Sequence, residues 1–378
     1  MSLETTAAVL RTFSAPQSIE TVELRDPGLG EVRVRMVAAG VCHSDVGQAD
    51  GEWPHPLPVV LGHEGAGIVE SIGPGVRGLR VGQRVVLSLA PGCGACPHCA
   101  DGRPILCQDS LAAMGEGSLT TGSTPISQAG TAVATYALLG CFAGLTVVAA
   151  RSTIPLPDRV PPDVAAIVGC AVITGFGAAA ETIAIAAGSR GAVIGCGGVG
   201  QSAIQGARLR GAAEVVALDP SEGRRSDAER FGATSSGDPT DEAIVGELRE
   251  RAARAGFDWT IVTVGSPAAM RLGVDVLRPG GTAVMVGLTP ADSPTQIDML
   301  DVVTYERRIV GSAYGSRNPL VLMPRILELY RRGLLQLDGL LGERFPLEGV
   351  NEAFSASRSA AGGRPVLELA GDGRGWPA

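Results

Sequence analysis

Residues 192–201 read A-V-I-G-C-G-G-V-G-Q and join an apolar strand to a glycine-rich turn. The helix-like segment Q-S-A-I-Q-G-A-R-L-R, residues 201–210, begins at the last residue of this stretch. In a G-x-G-x-x-G turn the first glycine permits a tight bend, the second admits a pyrophosphate, and the third lets the helix pack on the strand. The helix N-terminus also attracts phosphate charge. The stretch therefore predicts a dinucleotide site made of Gly195, Gly197, Gly198, Val199 and Gly200.

A carboxylate follows at the end of the next predicted strand. The run E-V-V-A-L-D ends at Asp219, where an acid binds the ribose hydroxyls and repels a 2′-phosphate. This position favours NAD over NADP as the cofactor. Arg224 and Arg225, just beyond, weaken that preference. A solvated acid at a strand end is the alternative interpretation of Asp219.

The glycine-rich turn belongs to a strand–turn–helix–strand pattern that extends over about residues 172–310 and predicts parallel βαβ units. Residues 5 to about 155 contain short β-rich runs separated by Pro and Gly turns. A chain of 378 residues exceeds what one core usually serves, so two domains are expected. The predicted fold is α/β, with a doubly wound parallel sheet and a compact antiparallel or barrel-like β domain.

The composition excludes several classes of function. A formal charge of −8 argues against nucleic acid and anionic membranes, which require a basic face. The absence of Lys excludes Schiff-base chemistry and a lysine-bearing phosphate loop. Residues 117–150 carry no charge, but their Gly, Ser, Thr and Pro residues predict a loop and buried strands rather than a membrane span. No signal peptide is predicted, so we expect a cytoplasmic protein.

Residues 40–67 place a thiol and an imidazole on two glycine-bounded turns, G-V-C-H-S-D and L-G-H-E-G-A-G. Cys42 and His63 are ligand types that zinc accepts, and a catalytic zinc site needs three protein ligands and one open position. Cys170 is the best candidate for the third ligand, because most of the remaining cysteines belong to other motifs. Asp45 could orient His63 through its second ring nitrogen. Core residues without a metal are the alternative.

A second metal signature lies in P-G-C-G-A-C-P-H-C-A-D-G-R-P-I-L-C, residues 91–107. Its C-x2-C-x2-C-x7-C spacing lets a short lobe surround one tetrahedral ion with four thiolates. Four sulfurs complete the coordination shell, so the predicted role is structural, with an iron–sulfur cluster as a minor alternative. The predicted ligands are Cys93, Cys96, Cys99 and Cys107.

Together these motifs resemble the zinc-dependent medium-chain alcohol dehydrogenases over about residues 5–370. The motifs G-V-C-H-S-D, G-H-E-G-A-G, G-C-x-x-x-T-G and G-C-G-G-V-G and the four-cysteine lobe occur in the order and at the spacings of that family. The resemblance implies a GroES-like catalytic domain of residues 1–171 and 312–378, whose structural zinc lobe covers residues 91–109. It also implies a Rossmann NAD-binding domain of residues 172–311, with a catalytic and a structural zinc in each subunit.

The resemblance also implies roles for individual positions. Cys42, His63 and Cys170 match the catalytic zinc ligands, and Glu64 matches an acid that can approach the metal. Ser44 matches the hydroxyl that takes the substrate proton. The remaining matches are Asp45 as the partner of His63, Asp219 and Arg224 at the adenosine ribose, His43 and Arg364 at the pyrophosphate, Thr174 near the nicotinamide, and Trp53 and Leu89 in the substrate pocket. Leu288 is a further candidate for the pocket wall, with a core role as the alternative.

One position departs from many relatives, which have a proton-relaying histidine five residues after the first cysteine ligand. That position is Gly47 here, so water or another group must replace the relay. His55 is the nearby histidine to which no other role is assigned. We expect proton release to be slower or more dependent on pH than in relatives that keep the histidine.

The apolar pocket positions predict oxidation of primary aliphatic or aromatic alcohols with NAD. A formaldehyde dehydrogenase acting on a mycothiol-type adduct is the alternative, whereas the acidic and apolar segment Q-D-S-L-A-A after Cys107 disfavours glutathione. A catalytically inert NAD- and zinc-binding protein is a more remote alternative. The long segment between Cys107 and Cys170 matches dimeric relatives, so a homodimer that pairs sheet edges around residues 283–311 is expected.

Overall fold

The computed structural model describes residues 2–359, 362–369 and 376. Its internal contacts divide the chain into two compact units. Unit 1 contains residues 1–170, 318–359 and 363–378, and unit 2 contains residues 171–317 and 360–362. The units divide at 170/171 and 317/318, whereas the expected domain boundaries are 171/172 and 311/312.

The first part of unit 1 is rich in strands, because its β-branched and apolar residues occur in short runs between turns. The strands are β1 (Leu3–Leu10), β2 (Ser18–Leu24), β3 (Glu31–Gly40), β4 (Val59–Val60), β5 (Glu64–Ile72), β6 (Arg84–Leu87), β7 (Ile126–Gln128), β8 (Thr131–Thr135), β9 (Leu145–Ala149) and β10 (Thr153–Pro155). The α-helices are α1 (His43–Asp50), α2 (Pro97–Ala100), α3 (Gln108–Gly115) and α4 (Pro162–Ile167).

Unit 2 alternates helices and strands. Its helices are α5 (Ile173–Gly177), α6 (Gly198–Leu209), α7 (Glu222–Arg230), α8 (Glu242–Arg254), α9 (Pro267–Asp275) and α10 (Met299–Thr304). Its strands are β11 (Arg190–Ile194), β12 (Glu214–Leu218), β13 (Ser235–Gly237), β14 (Phe257–Val262), β15 (Leu277–Met285) and β16 (Arg308–Gly311). The chain then returns to unit 1 with α11 (Pro319–Arg331), β17 (Leu341–Pro346), α12 (Val350–Ser359) and β18 (Arg364–Glu368).

The strands of unit 1 form two sheets. β1, β2, β7, β8 and β4 close into a barrel, which agrees with the predicted barrel-like β domain. The second sheet has the order β10-β6-β5-β3-β18-β17, and β9 also pairs with β3. The antiparallel pairing of β3 and β5 sets Gly40 opposite Glu64, so the ends of these two strands lie side by side.

The sheet of unit 2 is parallel, with the order β13-β12-β11-β14-β15-β16. This is the order of a doubly wound dinucleotide-binding sheet, which confirms the predicted fold class. Successive side chains of a strand point to opposite faces. Accordingly Val193 packs with Ile204 of α6, whereas Ile194 packs in a separate cluster with Leu272 of α9.

One helical stretch is long and apolar enough to be a candidate membrane span. It covers Pro162–Thr182 and includes α4, α5 and two π-helical turns, the first of them at Val168–Val172. However, 89% of its apolar window is buried inside the protein. Core helices meet the same criterion, so this stretch is weak evidence for a membrane. The uncharged residues 117–150 contain loops and the strands β7, β8 and β9, as expected.

Candidate functional site

Four potential metal ligands from distant parts of unit 1 meet in one cluster. One ligand atom each from Cys42, His63, Glu64 and Cys170 lies within 4.8 Å of the others. Cys42 caps the N-terminus of α1, His63 directly precedes β5, Glu64 is its first residue, and Cys170 lies in the π-helical turn after α4. The fold thus brings together the three predicted zinc ligands and the neighbouring acid.

Asp45 holds the first two of these ligands in place. Its Oδ1 atom accepts hydrogen bonds from His63 Nδ1 (2.9 Å) and from the amide of Gly62 (3.0 Å). Its Oδ2 atom accepts the amide of Cys42 at 3.0 Å, which also caps α1. Both Asp45 and His63 are buried. Because Nδ1 of His63 is engaged, Nε2 is left to bind a metal, an arrangement common in zinc sites.

The electrostatics favour a thiolate in the cluster. The pKa of Cys42 lies well below its usual value, chiefly because of a hydrogen bond with Cys170, and the same bond raises the pKa of Cys170. Burial lowers the pKa of His63, but the neighbouring Asp45 and Cys42 outweigh it and raise the pKa well above normal. Burial raises the pKa of Glu64 to about 7, against the opposing charge of Arg364.

Ser44 lies next to the ligand cluster. Its backbone amide donates to Cys42 Sγ at 3.5 Å, and its hydroxyl oxygen lies 3.7 Å from the same sulfur. The side chain is half-buried. A hydroxyl at this distance from the candidate ligands can exchange a proton with a molecule bound beside them.

Arg364 lies at the same cluster, with 9% of its side chain exposed. Its Nε atom lies 3.4 Å from Glu64 Oε2, so the guanidinium partly offsets the cost of burying the carboxylate. The space for that carboxylate exists because residue 40 is glycine, since a Cβ atom on Gly40 would lie 2.1 Å from Glu64 Oε2. The structure therefore places Arg364, predicted as a pyrophosphate contact, against Glu64.

Sequence patterns did not indicate Tyr136, which lines the cluster. Its hydroxyl donates to the Ser44 carbonyl at 3.5 Å, and the edge of its ring meets His63 at a centroid distance of 5.5 Å. Burial, together with the nearby negative groups, raises its pKa well above normal, so the phenol stays protonated. No motif surrounds Tyr136. It is distant in sequence from Ser44 and His63, and only the fold brings these residues into contact.

The position of the absent relay histidine is filled by other side chains. A Cβ atom on Gly47 would lie 2.7 Å from Glu52 Oε2 and 2.8 Å from the indole of Trp53. A histidine therefore does not fit at position 47 without moving these groups. Trp53 is half-buried, and Leu89 packs against the unit 1 core. Their predicted place in a substrate pocket stays a prediction.

The second predicted cluster is also assembled. One sulfur each from Cys93, Cys96, Cys99 and Cys107 lies within 4.8 Å of the others. Backbone amides support the sulfurs, since Cys93 N donates to Cys107 Sγ at 3.2 Å and Cys96 N donates to Cys93 Sγ at 3.3 Å. Burial would raise the pKa of Cys107, but hydrogen bonds from Ser110 and Cys93 lower it to about 6. Four such sulfurs suit a closed tetrahedral site.

The glycine-rich turn of unit 2 has the geometry that its spacing predicts. Gly195 has φ +92°, a left-handed conformation that favours glycine. A Cβ atom on Gly200 would lie 1.9 Å from the Gly195 carbonyl, so only glycine allows α6 to approach so closely. A Cβ atom on Gly197 would meet no atom within 4 Å. This open position at the start of α6 leaves room for a phosphate beside the backbone.

Asp219 closes the same turn and is buried. Its Oδ2 accepts the amide of Cys196 at 2.8 Å, and its Oδ1 accepts the amide of Ser221 at 2.9 Å. Arg224 Nη1 lies 3.9 Å from Oδ2. Asp219 is therefore a structured part of the turn rather than a solvated acid at a strand end.

Three other predicted positions have less distinctive surroundings. Thr174 is half-buried on α5, next to Gly175, where a Cβ atom would lie 1.9 Å from the Val199 carbonyl at the start of α6. His43 is exposed at the start of α1. Leu288 is 64% exposed. Their roles at the cofactor and substrate stay predictions.

The chain is similar to known proteins over nearly its whole length. The alcohol dehydrogenase GroES-like domain model matches residues 28–158, and the zinc-binding dehydrogenase model matches residues 198–328. The NDMA-dependent alcohol dehydrogenase of Amycolatopsis methanolica is 36% identical over 98% of this chain and 100% of its own length.

Two crystal structures are also similar over their full lengths. A zinc-binding alcohol dehydrogenase domain protein from Burkholderia ambifaria has a TM-score of 0.92 at 34% identity over 98% of this chain. The benzyl alcohol dehydrogenase of Acinetobacter calcoaceticus has a TM-score of 0.91 at 30% identity over 97% of it.

Proposed function

This chain belongs to the zinc-dependent medium-chain alcohol dehydrogenase family, and from that premise we propose that it transfers hydride between primary alcohols, aliphatic or aromatic, and NAD. The observation that carries the proposal is the cluster of Cys42, His63 and Cys170, with Asp45 behind the histidine. The Rossmann and GroES-like folds of the family support the placement of the nucleotide-binding domain in unit 2 and the catalytic domain in unit 1.

The donor atoms fit a catalytic zinc. Two sulfurs and one imidazole nitrogen are a known ligand set for zinc enzymes. A zinc ion bound there supplies a Lewis acid that lowers the pKa of a substrate hydroxyl. Cys42, His63 and Cys170 would hold the ion, Asp45 would keep His63 in the right orientation, and Ser44 would take the substrate proton. The four-thiolate lobe would hold a second, structural zinc.

The turn around Gly195–Gly200 fits a dinucleotide, and NAD bound there supplies the hydride acceptor. The backbone at Gly197 and the N-terminus of α6 would bind the pyrophosphate. Asp219 supports NAD over NADP, because a buried carboxylate repels a 2′-phosphate. Arg224, His43, Thr174 and Arg364 are proposed as further cofactor contacts.

A homodimer formed through unit 2 is also part of the proposal. β16 is an edge strand of the parallel sheet, and nearby α10 exposes Met299 by 61%, Leu300 by 74% and Val303 by 72%. Apolar side chains grouped beside a sheet edge are typical of protein–protein contacts. We place the enzyme in the cytoplasm, where cysteines serve as metal ligands rather than forming disulfides.

The decisive test is NADH formation by zinc-loaded protein with benzyl alcohol and a series of short aliphatic alcohols. Turnover with NAD and much weaker turnover with NADP is the expected result. Turnover that requires added NDMA would reveal a dependence like that named for the Amycolatopsis relative. Activity that appears only with formaldehyde and a low-molecular-weight thiol would replace the proposal with a thiol-adduct dehydrogenase. Zinc and NADH binding without any turnover would indicate a catalytically inert protein.

A further inference from the structure

The guanidinium of Arg225, on α7, contacts the chain at the end of β12. Its Nη1 atom donates hydrogen bonds to the carbonyl of Asp219 at 2.7 Å and to the carbonyl of Pro220 at 3.0 Å. The same nitrogen lies 3.7 Å from Asp238 Oδ2, and 21% of the side chain is exposed. Nη1 of this arginine is therefore bound to the protein itself.

These contacts join the residues that follow two neighbouring strands. Asp219 directly follows β12 and Asp238 directly follows β13, and the two strands pair in parallel. The amide of Asp219 also donates to the Gly237 carbonyl, at 3.2 Å. Ligands of doubly wound sheets bind outside the carboxyl ends of the strands. Arg225 thus fastens the chain at the edge where the dinucleotide is proposed to bind.

Arg225 completes the support of Asp219. The amides of Cys196 and Ser221 hold the two carboxylate oxygens of this acid, and Arg225 holds its main-chain carbonyl. Side chain and backbone are thus fixed by separate groups. A binding group has to be held within about 0.5 Å of its productive position, and residues that do not touch the ligand provide that support.

The neighbouring Arg224 differs from Arg225. Its Nη1 atom lies 3.9 Å from Asp219 Oδ2, and its Nε atom has no hydrogen-bond partner among the described residues. The sequence places both arginines just beyond Asp219, where a cation would favour a 2′-phosphate. In the structure Arg224 retains a donor for a ligand, whereas Nη1 of Arg225 is engaged by two carbonyls.

We propose that Arg225 is a positioning residue for cofactor selection. By holding the backbone of Asp219 and Pro220, it keeps the Asp219 carboxylate where this group accepts the ribose hydroxyls of NAD and repels a 2′-phosphate. The inference rests on the proposed function. It also fixes the sign of the effect, since an arginine that bound a 2′-phosphate would favour NADP, whereas one that positions Asp219 favours NAD.

The test is a fluorescence titration of zinc-loaded, full-length protein with NADH and with NADPH, without alcohol, so that no turnover is needed. Native protein should bind NADH more tightly. Arg225→Met should weaken NADH binding roughly tenfold, the equivalent of one hydrogen bond to the ribose, and should weaken NADPH binding less. The ratio of the NADPH Kd to the NADH Kd should therefore fall. An unchanged ratio or a higher one would overturn the proposal.

Arg208→Met is the matched control. Arg208 Nη1 donates to the Ala212 carbonyl at 2.6 Å, which is the same kind of bond at the C-terminal end of α6, away from Asp219. This variant should unfold at a lower temperature, as Arg225→Met should, but its ratio of Kd values should equal that of the native protein. An equal fall in both variants would indicate general loosening of unit 2 and would contradict the specific role of Arg225.

Arg225→Lys provides a second comparison if Arg225→Met does not fold. Lysine keeps the charge but lacks the planar fork of arginine, so it should hold the two carbonyls less well and also lower the ratio. A ratio equal to the native one would show that charge alone matters and would overturn the proposal. Failure of the native protein to bind NADH would instead refute the proposed function.

Discussion

The two cysteine-containing clusters of unit 1 are alike in size but differ in how the chain assembles them. The lobe takes all of its sulfurs from residues 93–107, where short turns bring them together. The other cluster collects ligands from residues 42 to 170, on a helix cap, a strand and a π-helical turn. The first therefore depends on local chain geometry, and the second depends on correct packing of the whole β domain.

The surroundings of the two clusters differ as well. Three of the four lobe cysteines are partly exposed, and the lobe offers sulfur ligands alone. Cys42, His63 and Glu64 are buried, and the carboxylate of Asp45 and the guanidinium of Arg364 surround them. A closed set of sulfurs suits a structural ion, whereas mixed ligands with an additional acid leave a position for chemistry. Substitutions in the two clusters should therefore have different consequences.

The largest expected effect is on the non-local cluster. Cys170→Ala should remove one of two zinc ions and lower kcat/KM by more than roughly 100-fold. Losing only a residue that hydrogen-bonds a metal ligand costs up to about 100-fold, and losing the ligand itself should cost more. Elemental analysis and alcohol oxidation measure both quantities. Cys141→Ala is the matched control, because Cys141 is also a free thiol of unit 1 but lies outside both clusters; it is buried, whereas Cys170 is half-buried. Retention of both zinc ions and of activity in Cys170→Ala would contradict the assignment.

A smaller effect is expected from Asp45→Asn. The asparagine keeps the shape but removes the charge that orients His63 and supports its basicity. Zinc affinity at this cluster, or activity, should fall roughly 10- to 100-fold. Competition with a chelator, followed by zinc analysis, should show that the lobe ion is retained while the other is lost. Equal loss of both ions would indicate general destabilisation of unit 1 instead.

Removing a lobe ligand should affect stability more than chemistry. We expect Cys99→Ala to bind one zinc ion fewer and to unfold at a lower temperature. Its kcat/KM, measured on folded protein, should change by less than about tenfold, which corresponds to about 1.36 kcal/mol. A loss of activity as large as that of Cys170→Ala, at a temperature where the variant is folded, would show that the lobe takes part in catalysis.

The smallest effect is expected at Glu31, which ties the segment after the lobe to β3. Its buried carboxylate accepts hydrogen bonds from Arg25 Nη1 (2.5 Å), Thr121 Oγ1 (2.6 Å) and Gly28 N (2.7 Å). Glu31→Gln should lower the free energy of unfolding at pH 7 by about 1–3 kcal/mol, with activity at that pH nearly unchanged.

The pH dependence of that difference follows from the pKa of Glu31. Burial raises this pKa, but the bonds from Arg25, Thr121 and Gly28 outweigh it and hold it below the ordinary value. A lowered pKa contributes stability above the unfolded-state value and loses it as pH falls through the folded-state value. Urea unfolding of native protein and Glu31→Gln should therefore converge at acid pH. A difference independent of pH would rule out this role of the carboxylate.

Both candidate metal-ligand clusters and the glycine turn were predictable, because particular residue types at fixed spacings indicate them. The spacing of Cys93, Cys96, Cys99 and Cys107 indicated their cluster directly, because so short a segment keeps the four sulfurs near one another. Cys170 was only the best remaining cysteine, and the resemblance to a known family supported it. Tyr136 was not predictable, because no motif surrounds it. The crowding at Gly47 was not predictable either, although Glu52 and Trp53 are near in sequence, because the direction of their side chains depends on the fold.

The sequence by itself determined the alternating pattern of unit 2, the left-handed turn at Gly195 and the composition of the four-cysteine lobe, because each depends on neighbours along the chain. The tertiary structure alone decided that Arg364 pairs with Glu64 and that Tyr136 stands between His63 and His55. Those contacts join residues far apart in sequence. Their geometry is set by the packing of strands and helices on a shared core, and a local pattern of residues carries no record of that packing.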